Sequence, residues 1–165
     1  YRALKVIADS MERPVFFLVL TPGQTSEIES GIQKAGLGRE QYSVFYSAFG
    51  DIPSYLSAAD FAVSFHKSKP KAFAYSPIKH GEYWACGLPV IIPENVGDES
   101  RWILQEGLGC TVDFLREDSV KQACFEINSI LSNPLHRDDI RANGLSKRSK
   151  SRMVEVYNEI VGSHL

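Results

Sequence analysis

The sequence predicts an α/β domain with a doubly wound parallel sheet, Rossmann-like and built in three α/β/α layers. Two observations predict this fold. Short apolar runs alternate with helical patterns along the chain, and several of the runs lack the polar alternation of a strand with one wet face. The 165 residues suffice for one domain with a sizeable core and are too few for two, so residues 1–165 are predicted to form a single domain.

The chain opens with an amphipathic helix pattern, in which Leu4, Ile7 and Ala8 share one face. A doubly wound domain ordinarily opens with a strand instead. We therefore expect that the first strand of the sheet, with its glycine-rich turn, lies upstream of Tyr1.

Five strands are predicted, because five short runs are rich in β-branched or aromatic residues and are bounded by Gly, Pro, Asp or Asn. They cover residues 15–20, 43–47, 61–65, 90–93 and 110–114. Helices are predicted at 25–35, 52–59, 77–86, 98–106 and 119–131. Residues 137–161 are predicted to form charged C-terminal helices, with an apolar stripe for core or interdomain packing formed by Met153, Val156, Tyr157 and Ile160.

The composition of the chain excludes several classes of protein. A formal net charge of -2 gives no electrostatic case for binding nucleic acid. Cys86, Cys110 and Cys124 are odd in number and far apart, so they predict buried apolar side chains in a reducing cytoplasm rather than disulfides or a zinc site. No cluster of Asp, His or Cys predicts a metal site, and no apolar run approaches the roughly 18 residues of a membrane-spanning helix.

The most informative segment spans residues 76–100, SPIKHGEYWACGLPVIIPENVGDES. Ser76 is predicted to cap a helix that starts at Pro77 and stops at Gly87 in the left-handed conformation. The N-terminus of a helix at the carboxyl edge of a parallel sheet favours phosphate, because its free N–H groups and its dipole both attract an anion.

Lys79 and Glu82 lie three residues apart on one face of this helix. A cation in the first turn opposes the helix dipole, and a bound phosphate would account for Lys79 there. The carboxylate of Glu82 could accept hydrogen bonds from two ribose hydroxyls. The alternative is a solvated ion pair between the two side chains, contributing about 0.2–0.5 kcal/mol, and the spacing alone does not separate the two interpretations.

Residues 81–90, GEYWACGLPV, resemble the donor-binding motif in the C-terminal domain of GT-B-fold glycosyltransferases, close to family 4 (group 1). SPIK at residues 76–79 resembles a variant of the motif with S-P-x-K ahead of the Glu. Residues 49–65 are similar to the family's loop–helix–Ala–Asp–strand unit, and the resemblance covers almost the whole chain. The matching motif residues are Glu82, Tyr83, Ala85, Cys86, Gly87, Leu88, Pro89 and Val90.

The resemblance implies a donor site for a UDP-, GDP- or ADP-sugar. Glu82 would hold the ribose and Lys79 would contact the phosphates or the sugar, as the two residues with catalytic roles. The diphosphate would face the helix N-terminus, the base would be recognised after the second visible strand, and the donor sugar would border the loop after the fourth. The resemblance implies Ser76, Pro77 and Ile78 for the diphosphate, Gly50 and Ile52 for the base, and Asn95 and Gly97 for the donor sugar.

The implied reaction is retaining transfer of the sugar to a glycan or lipid-linked glycan, with neither a metal nor a resident cofactor. Catalysis would depend on positioning and on stabilising the charge of the departing diphosphate. The acceptor would sit on the N-terminal GT-B domain, so that domain is the expected partner and residues 1–165 alone are expected to be inactive. The resemblance implies polysaccharide biosynthesis in the cytoplasm, with peripheral association at the inner face of the membrane.

Two departures from the family pattern leave alternatives open. Ala74 stands where the family often has a Glu that contacts the donor sugar. The family's Arg and Lys that neutralise the diphosphate would lie upstream of Tyr1 or have no counterpart. Lys67, Lys69 or Lys71 could replace them, although the pattern of this loop favours a solvated basic loop. The alternatives are a degenerate nucleotide-binding or interaction domain, which Ala74 favours, and a sugar-nucleotide 2-epimerase of the same fold. A receiver domain is disfavoured, because residues 20–22 offer no acidic cluster.

The remaining histidines and tryptophans are predicted to have weaker roles or none. His80 is predicted to lie at the surface, and His66 is a candidate contact at the carboxyl end of the third strand. His136 is predicted to lie in a loop without a role. Trp84 and Trp102 are predicted to pack on helical faces rather than to stack on a sugar.

Overall fold

The computed structural model describes residues 1–65 and 74–162. The strands in these residues are β1 (Phe17–Leu20), β2 (Tyr42–Phe45), β3 (Ala62–Val63), β4 (Val90–Pro93) and β5 (Gly109–Val112). The helices are α1 (Arg2–Ser10), α2 (Thr25–Lys34), α3 (Ile52–Ala58), α4 (Ile78–Ala85), α5 (Glu99–Glu106), α6 (Glu117–Ser132), α7 (His136–Arg148) and α8 (Lys150–Gly162). The five predicted strands and the helices between them are confirmed, with ends that shift by at most two residues.

The C-terminal helical stretch divides at Ser149. This residue has an extended backbone, with φ -88° and ψ 156°, so α7 ends before it and α8 begins after it. The first residue of α7 is His136, and the prediction that His136 lies in a loop is therefore wrong.

The strands are parallel and lie in two sheets. β1 pairs with β2 in one sheet, and β4 lies between β3 and β5 in the other. The predicted α/β fold with parallel strands is confirmed. Over residues 1–65 and 74–162 the strands form these two sheets rather than one continuous sheet.

Helices cover both faces of the three-stranded sheet. Cluster A contains apolar side chains of α1, α2 and α6 together with residues of both sheets, including Ile91 of β4. Cluster B contains side chains of α4, α5 and α7 together with Val90 and Ile92 of β4. Neighbouring residues of β4 therefore point into opposite clusters, and all four residues of the strand are buried. This double burial is what its unbroken apolar sequence predicts.

The end of α4 and its inner face fix the position of that helix. Gly87 follows the helix at φ +73°, as predicted, and a Cβ there would lie 2.7 Å from the backbone oxygen of Arg137. Trp84 is fully buried, and its Nε1 donates to the carbonyl oxygen of Leu108 at 3.2 Å. Trp102 packs half-buried against cluster B. The predicted packing role of both tryptophans is confirmed.

The C-terminal apolar stripe does not pack in the core of the residues that the structure describes, so that part of the prediction is wrong, and the interdomain alternative stays a prediction. No residue of α8 is buried. Met153, Tyr157 and Ile160 are exposed, and Val156 is half-buried. The stripe therefore adds nothing to clusters A and B.

The cysteines are all free thiols, as the sequence predicts. Cys110 and Cys124 are buried, and Cys86 is half-buried. Among the described helices, none combines the length and the apolar character needed to cross a membrane. The described residues also contain no group of three or more His, Cys, Asp or Glu side chains arranged to hold a metal ion.

Candidate functional site

The carboxyl ends of β3 and β4 bring three chain segments together. β3 ends one residue before Ser64, and β4 is followed by a loop that leads into α5 at Glu99. The first turn of α4 lies between Ser64 and Glu99, because the side chain of His80 contacts both residues. Since the carboxyl edge of a parallel sheet is where α/β proteins bind ligands, this is the candidate site.

The start of α4 differs from the prediction. The helix begins at Ile78 rather than at Pro77, Pro77 occupies the N-cap position, and Ser76 does not cap the helix. The hydroxyl of Ser76 instead donates to Glu99 Oε1 at 3.4 Å and accepts from Arg148 Nη2 at 2.5 Å. Hydrogen bonds with charged groups are stronger than a neutral cap, which explains why the side chain turns toward them.

A buried polar network underlies this turn. His80 Nδ1 lies 2.6 Å from Glu99 Oε2, and His80 Nε2 lies 2.8 Å from Ser64 Oγ. Arg148 Nη2 donates to Glu99 Oε1. The side chains of His80 and Glu99 are both 0% exposed, so the network lies inside the protein and holds the ends of β3, α4, α5 and α7 together.

The prediction that His80 lies at the surface is therefore wrong. His80 precedes Trp84 by four residues, and residues four apart share one face of a helix. Because that face carries the fully buried Trp84, it also buries His80. This spacing was the signal in the sequence that could have found it.

Glu99 and Arg148 are the residues that sequence reasoning missed. A Glu at the first position of a helix is usually explained by the helix dipole and stays solvated. Glu99 is buried because Arg148, 49 residues further along the chain, reaches it from the end of α7. No local pattern connects two residues so far apart.

The environment of His80 favours a neutral imidazole. Burial, followed by the positive charge of Arg148, lowers the pKa of His80 from 6.5 to about 4. A neutral imidazole carries one N–H, and a carboxylate only accepts hydrogen bonds. The network therefore assigns the proton to Nδ1, which donates to Glu99, while Nε2 accepts from the hydroxyl of Ser64.

We expect the free energy of unfolding to fall as the pH drops from 6.5 to about 4, the range between the two pKa values of His80. In this range the unfolded chain binds a proton at His80 that the folded protein excludes. The slope is up to about 1.4 kcal/mol per pH unit. The stabilisation is complete above pH 6.5 and is lost as the pH approaches the folded-state pKa. Denaturant unfolding at several pH values measures the slope.

His80→Gln is the matched control for this pH dependence, because an amide keeps hydrogen-bonding capacity but does not titrate. The variant should show a slope that is smaller by about one proton over the same range. Equal slopes for the parent and the variant would contradict a neutral, buried imidazole at this position.

The structure places Lys79 and Glu82 on α4 without joining them. Lys79 is exposed and Glu82 is half-buried. Among the described residues, the two side chains form neither a hydrogen bond nor an ion pair with each other or with a third residue. The alternative interpretation of a solvated intrahelical pair is therefore wrong. Burial, followed by the negative charge of Glu82, raises the pKa of Tyr83.

The three predicted donor-site stretches lie at the ends of helices and strands. Ser76, Pro77 and Ile78 form the exposed entry to α4, where Ile78 is 77% exposed. Asn95 and Gly97 lie in the β4–α5 loop, both with positive φ, at 60° and 48°. The bond between Ser76 and Glu99 brings these two stretches side by side. The third stretch, Gly50 and Ile52, lies at the start of α3.

A hollow of about 160 Å³ lies between α1 and α6, lined in part by Val6, Phe114 and Val120. Ligand pockets usually enclose roughly 300–1,000 Å³, so this hollow is too small for a nucleotide sugar. In the first turn of α4, the side chains of Ile78 and Lys79 are exposed. His66, Lys67, Lys69 and Lys71 lie outside the described residues.

No protein-family model matches the sequence, and no curated protein is significantly similar to it. The functional assignment therefore depends on the residues and geometry of the chain itself.

Proposed function

We propose that the chain is the donor-binding domain of a retaining GT-B-type glycosyltransferase. One observation carries the proposal: the first turn of α4 lies at the carboxyl edge of a parallel sheet, and Lys79 and Glu82 on this helix pair with no other side chain among residues 1–65 and 74–162. The motif GEYWACGLPV at residues 81–90 supports the same assignment. A nucleoside diphosphate sugar is the class of ligand that both features fit.

The fold supports this proposal through the way its helices alternate. α1 and α2 contribute to cluster A, whereas α4 and α5 contribute to cluster B. Helices that cover one face in the first half and the other face in the second half are typical of a doubly wound, Rossmann-like sheet. In that arrangement the two sheets are the two halves of one sheet, and the strand order reverses between β1 and β3.

Each donor group has a proposed contact on α4. The first N–H groups of the helix have no intrahelical acceptor and would face the diphosphate, with Lys79 beside them. The unpartnered carboxylate of Glu82 would accept hydrogen bonds from the ribose hydroxyls. Asn95 and Gly97 border the position proposed for the sugar, and Gly50 and Ile52 the position proposed for the base.

The proposed reaction breaks the bond between the anomeric carbon and the diphosphate oxygen and forms a bond to an acceptor hydroxyl oxygen, whose proton passes to the departing diphosphate. The helix dipole and Lys79 would stabilise the charge on the departing diphosphate. The acceptor would be held by a second domain of the GT-B type, so we expect donor binding without turnover from this domain alone. The proposal assigns no step to a metal or to a resident cofactor.

Nucleoside diphosphate binding tests this proposal directly. A panel of UDP, GDP and ADP should contain one ligand that stabilises the domain, by about 2.7 kcal/mol at 100 times its Kd. Glu82→Ala should weaken that ligand about 10–100-fold, because hydrogen bonds to a charged group contribute about 1.5–3 kcal/mol. Thermal shift and calorimetry measure both effects.

Glu126→Ala is the matched control, since Glu126 is a half-buried glutamate on α6 and its removal changes the net charge equally. It should leave the affinity unchanged. Binding that survives Glu82→Ala at full strength would overturn the ribose contact. A domain that binds none of the three diphosphates would favour the degenerate interaction domain.

A second candidate function is hydrolysis by a Ser–His–Glu triad. His80 lies 2.8 Å from the hydroxyl of Ser64 and 2.6 Å from the carboxylate of Glu99. This is the arrangement of a nucleophile, a base and an orienting carboxylate. We rank it second, because Ser64 is only 8% exposed and Glu99 is also paired with Arg148. A fluorophosphonate probe should leave Ser64 unlabelled, whereas labelling lost in Ser64→Ala would establish the hydrolase.

A further inference from the structure

We infer that Arg148 is a second cation for the diphosphate group at the first turn of α4. Arg148 is the last residue of α7. Nη1 of its guanidinium would donate to a phosphate oxygen while Nη2 keeps its present acceptors. The donor motif implies no contact beyond Gly97, so it does not predict a residue of α7 in the site. The inference rests on the position that the proposed function gives to the diphosphate.

Close packing of α7 against α4 places Arg148 beside this turn. A Cβ at Gly144 of α7 would fall against the Cβ of Trp84. A Cβ at Gly81 would lie 3.4 Å from the Cβ of Arg148. Positions that rise along α7 therefore meet positions that fall along α4, which means that the two helices run antiparallel. The end of α7 consequently lies over the beginning of α4.

The guanidinium of Arg148 uses only part of its hydrogen-bonding capacity. Nη2 donates to Glu99 Oε1 and, at 2.5 Å, to Ser76 Oγ. In the part of the chain that the structure describes, neither Nη1 nor Nε has an acceptor, and Nε is buried. An arginine that serves a carboxylate alone frequently donates from two nitrogens to both oxygens. Glu99 gives its second oxygen to His80 instead, so the guanidinium keeps donors for a second anion.

The surroundings of Arg148 attract an anion. Lys79 is exposed in the same turn of α4, and the side chain of Arg148 is 21% exposed. The first N–H groups of α4 add partial positive charge. The carboxylate of Glu99 offsets only one of the two cations, and Glu82, one turn further along the helix, is assigned to the ribose. An anion at this turn would therefore lower the repulsion between Lys79 and Arg148.

The chemistry of a guanidinium suits a departing diphosphate. Arginine stays protonated, and its planar N–H groups match the geometry of phosphate oxygens. In the proposed reaction the negative charge on the diphosphate grows as its bond to the sugar breaks. Arg148 would stabilise that charge together with Lys79, and its effect would increase along the reaction because the side chain is mostly shielded from water.

Inorganic pyrophosphate tests this contact without a nucleoside. Titration of the unchanged chain should shift the NMR signal of the Arg148 Nε–H group, and calorimetry gives the Kd. The double variant Glu99→Gln/Arg148→Met leaves no buried charge without its partner. It should bind pyrophosphate about 10–100-fold more weakly, because hydrogen bonds to charged groups are the strong ones.

Glu106→Gln/Lys147→Met is the matched control. It removes the neighbouring ion pair between α5 and α7, whose side chains are 31% and 30% exposed, and changes the same two charges. Its Kd for pyrophosphate should stay within about twofold of the parent value. An equal loss in both double variants would show general attraction by positive charge and would overturn the inference.

Glu99→Gln alone separates a phosphate contact from a structural role of Arg148. Because the amide no longer competes for the guanidinium, pyrophosphate should bind about 3–10-fold more tightly. This gain should vanish when Arg148→Met is added. A merely structural Arg148 predicts equal or weaker binding in Glu99→Gln, since the contacts that hold the first turn of α4 are then loosened, and that result would overturn the inference.

The titration of the unchanged chain decides the question even if a variant does not fold. An Arg148 signal that pyrophosphate leaves in place would overturn the inference, whether or not UDP, GDP or ADP binds. Pyrophosphate that binds through Arg148 while none of the three nucleoside diphosphates binds would support the anion contact and count against the nucleotide site. Failure of the inference and failure of the proposed function are therefore distinct.

Discussion

Replacing Glu99 with alanine is expected to destabilise the domain by about 3–5 kcal/mol, the usual cost of removing one partner of a buried charge pair. The Glu99 side chain is 0% exposed and that of Arg148 is 21% exposed. Without the carboxylate, Arg148 keeps only the hydroxyl of Ser76, and the Nδ1 proton of His80 loses its acceptor. The effect is a fall in the denaturant midpoint, measured by circular dichroism.

Glu106→Ala is a matched control, because its carboxylate pairs with Lys147 at 2.8 Å and this ion pair also joins α5 to α7. These side chains are 31% and 30% exposed, so removing the pair should cost about 1 kcal/mol or less. The double variant Glu99→Gln/Arg148→Met should recover part of the stability that Glu99→Gln alone loses, because neither side chain then leaves a buried charge without its partner. If Glu99→Ala were as mild as Glu106→Ala, the network would be accessible to water and the proposed positioning of α4 would fail.

Gly109→Ala is expected to be comparably severe, at about 3–5 kcal/mol, which is exceptional for the addition of one methyl group. Gly109 starts β5 with φ +141°, a backbone conformation that only glycine adopts readily. A Cβ there would fall against the carbonyl oxygen of Val90 and 2.5 Å from its amide nitrogen. Because Val90 is central to the three-stranded sheet and fully buried, neither strand has room to move.

Gly107→Ala distinguishes strain in the backbone from collision with the sheet. Gly107 ends α5 at φ +66°, and a Cβ there would meet nothing within 4 Å. Alanine at this position should cost only about 1–2 kcal/mol, the price of the left-handed conformation. Urea unfolding of both variants compares the two positions. A similar loss for both would show that the contact with Val90 adds nothing.

Local patterns predicted most of the secondary structure. Residues 90–93 are predicted as a strand and form β4 without any shift, because the apolar run between Pro89 and Glu94 is too short for a helix and fits a buried strand. Gly87 is predicted as a left-handed helix stop and has that conformation. These features depend on residues that are neighbours in the sequence, and short-range sterics and burial determine them.

The candidate site was predicted less completely. Lys79 and Glu82 lie on one helix, as predicted, and neither pairs with another side chain in the part of the chain that the structure describes. The capping role of Ser76 and the surface position of His80 were wrong. Both errors have one cause, because Glu99 and Arg148 arrive from other elements and draw these side chains into a buried network.

The sequence by itself determined the alternation of strands and helices, the parallel α/β class and the placement of Lys79 and Glu82 on α4. Those properties follow from periodicity, β-branched runs and glycine, which act over a few residues. Only the tertiary structure decided that the strands lie in two sheets and that a histidine, a glutamate and an arginine share one buried site. Such contacts join residues up to 72 positions apart, and charges are buried only where packing brings a partner to each of them.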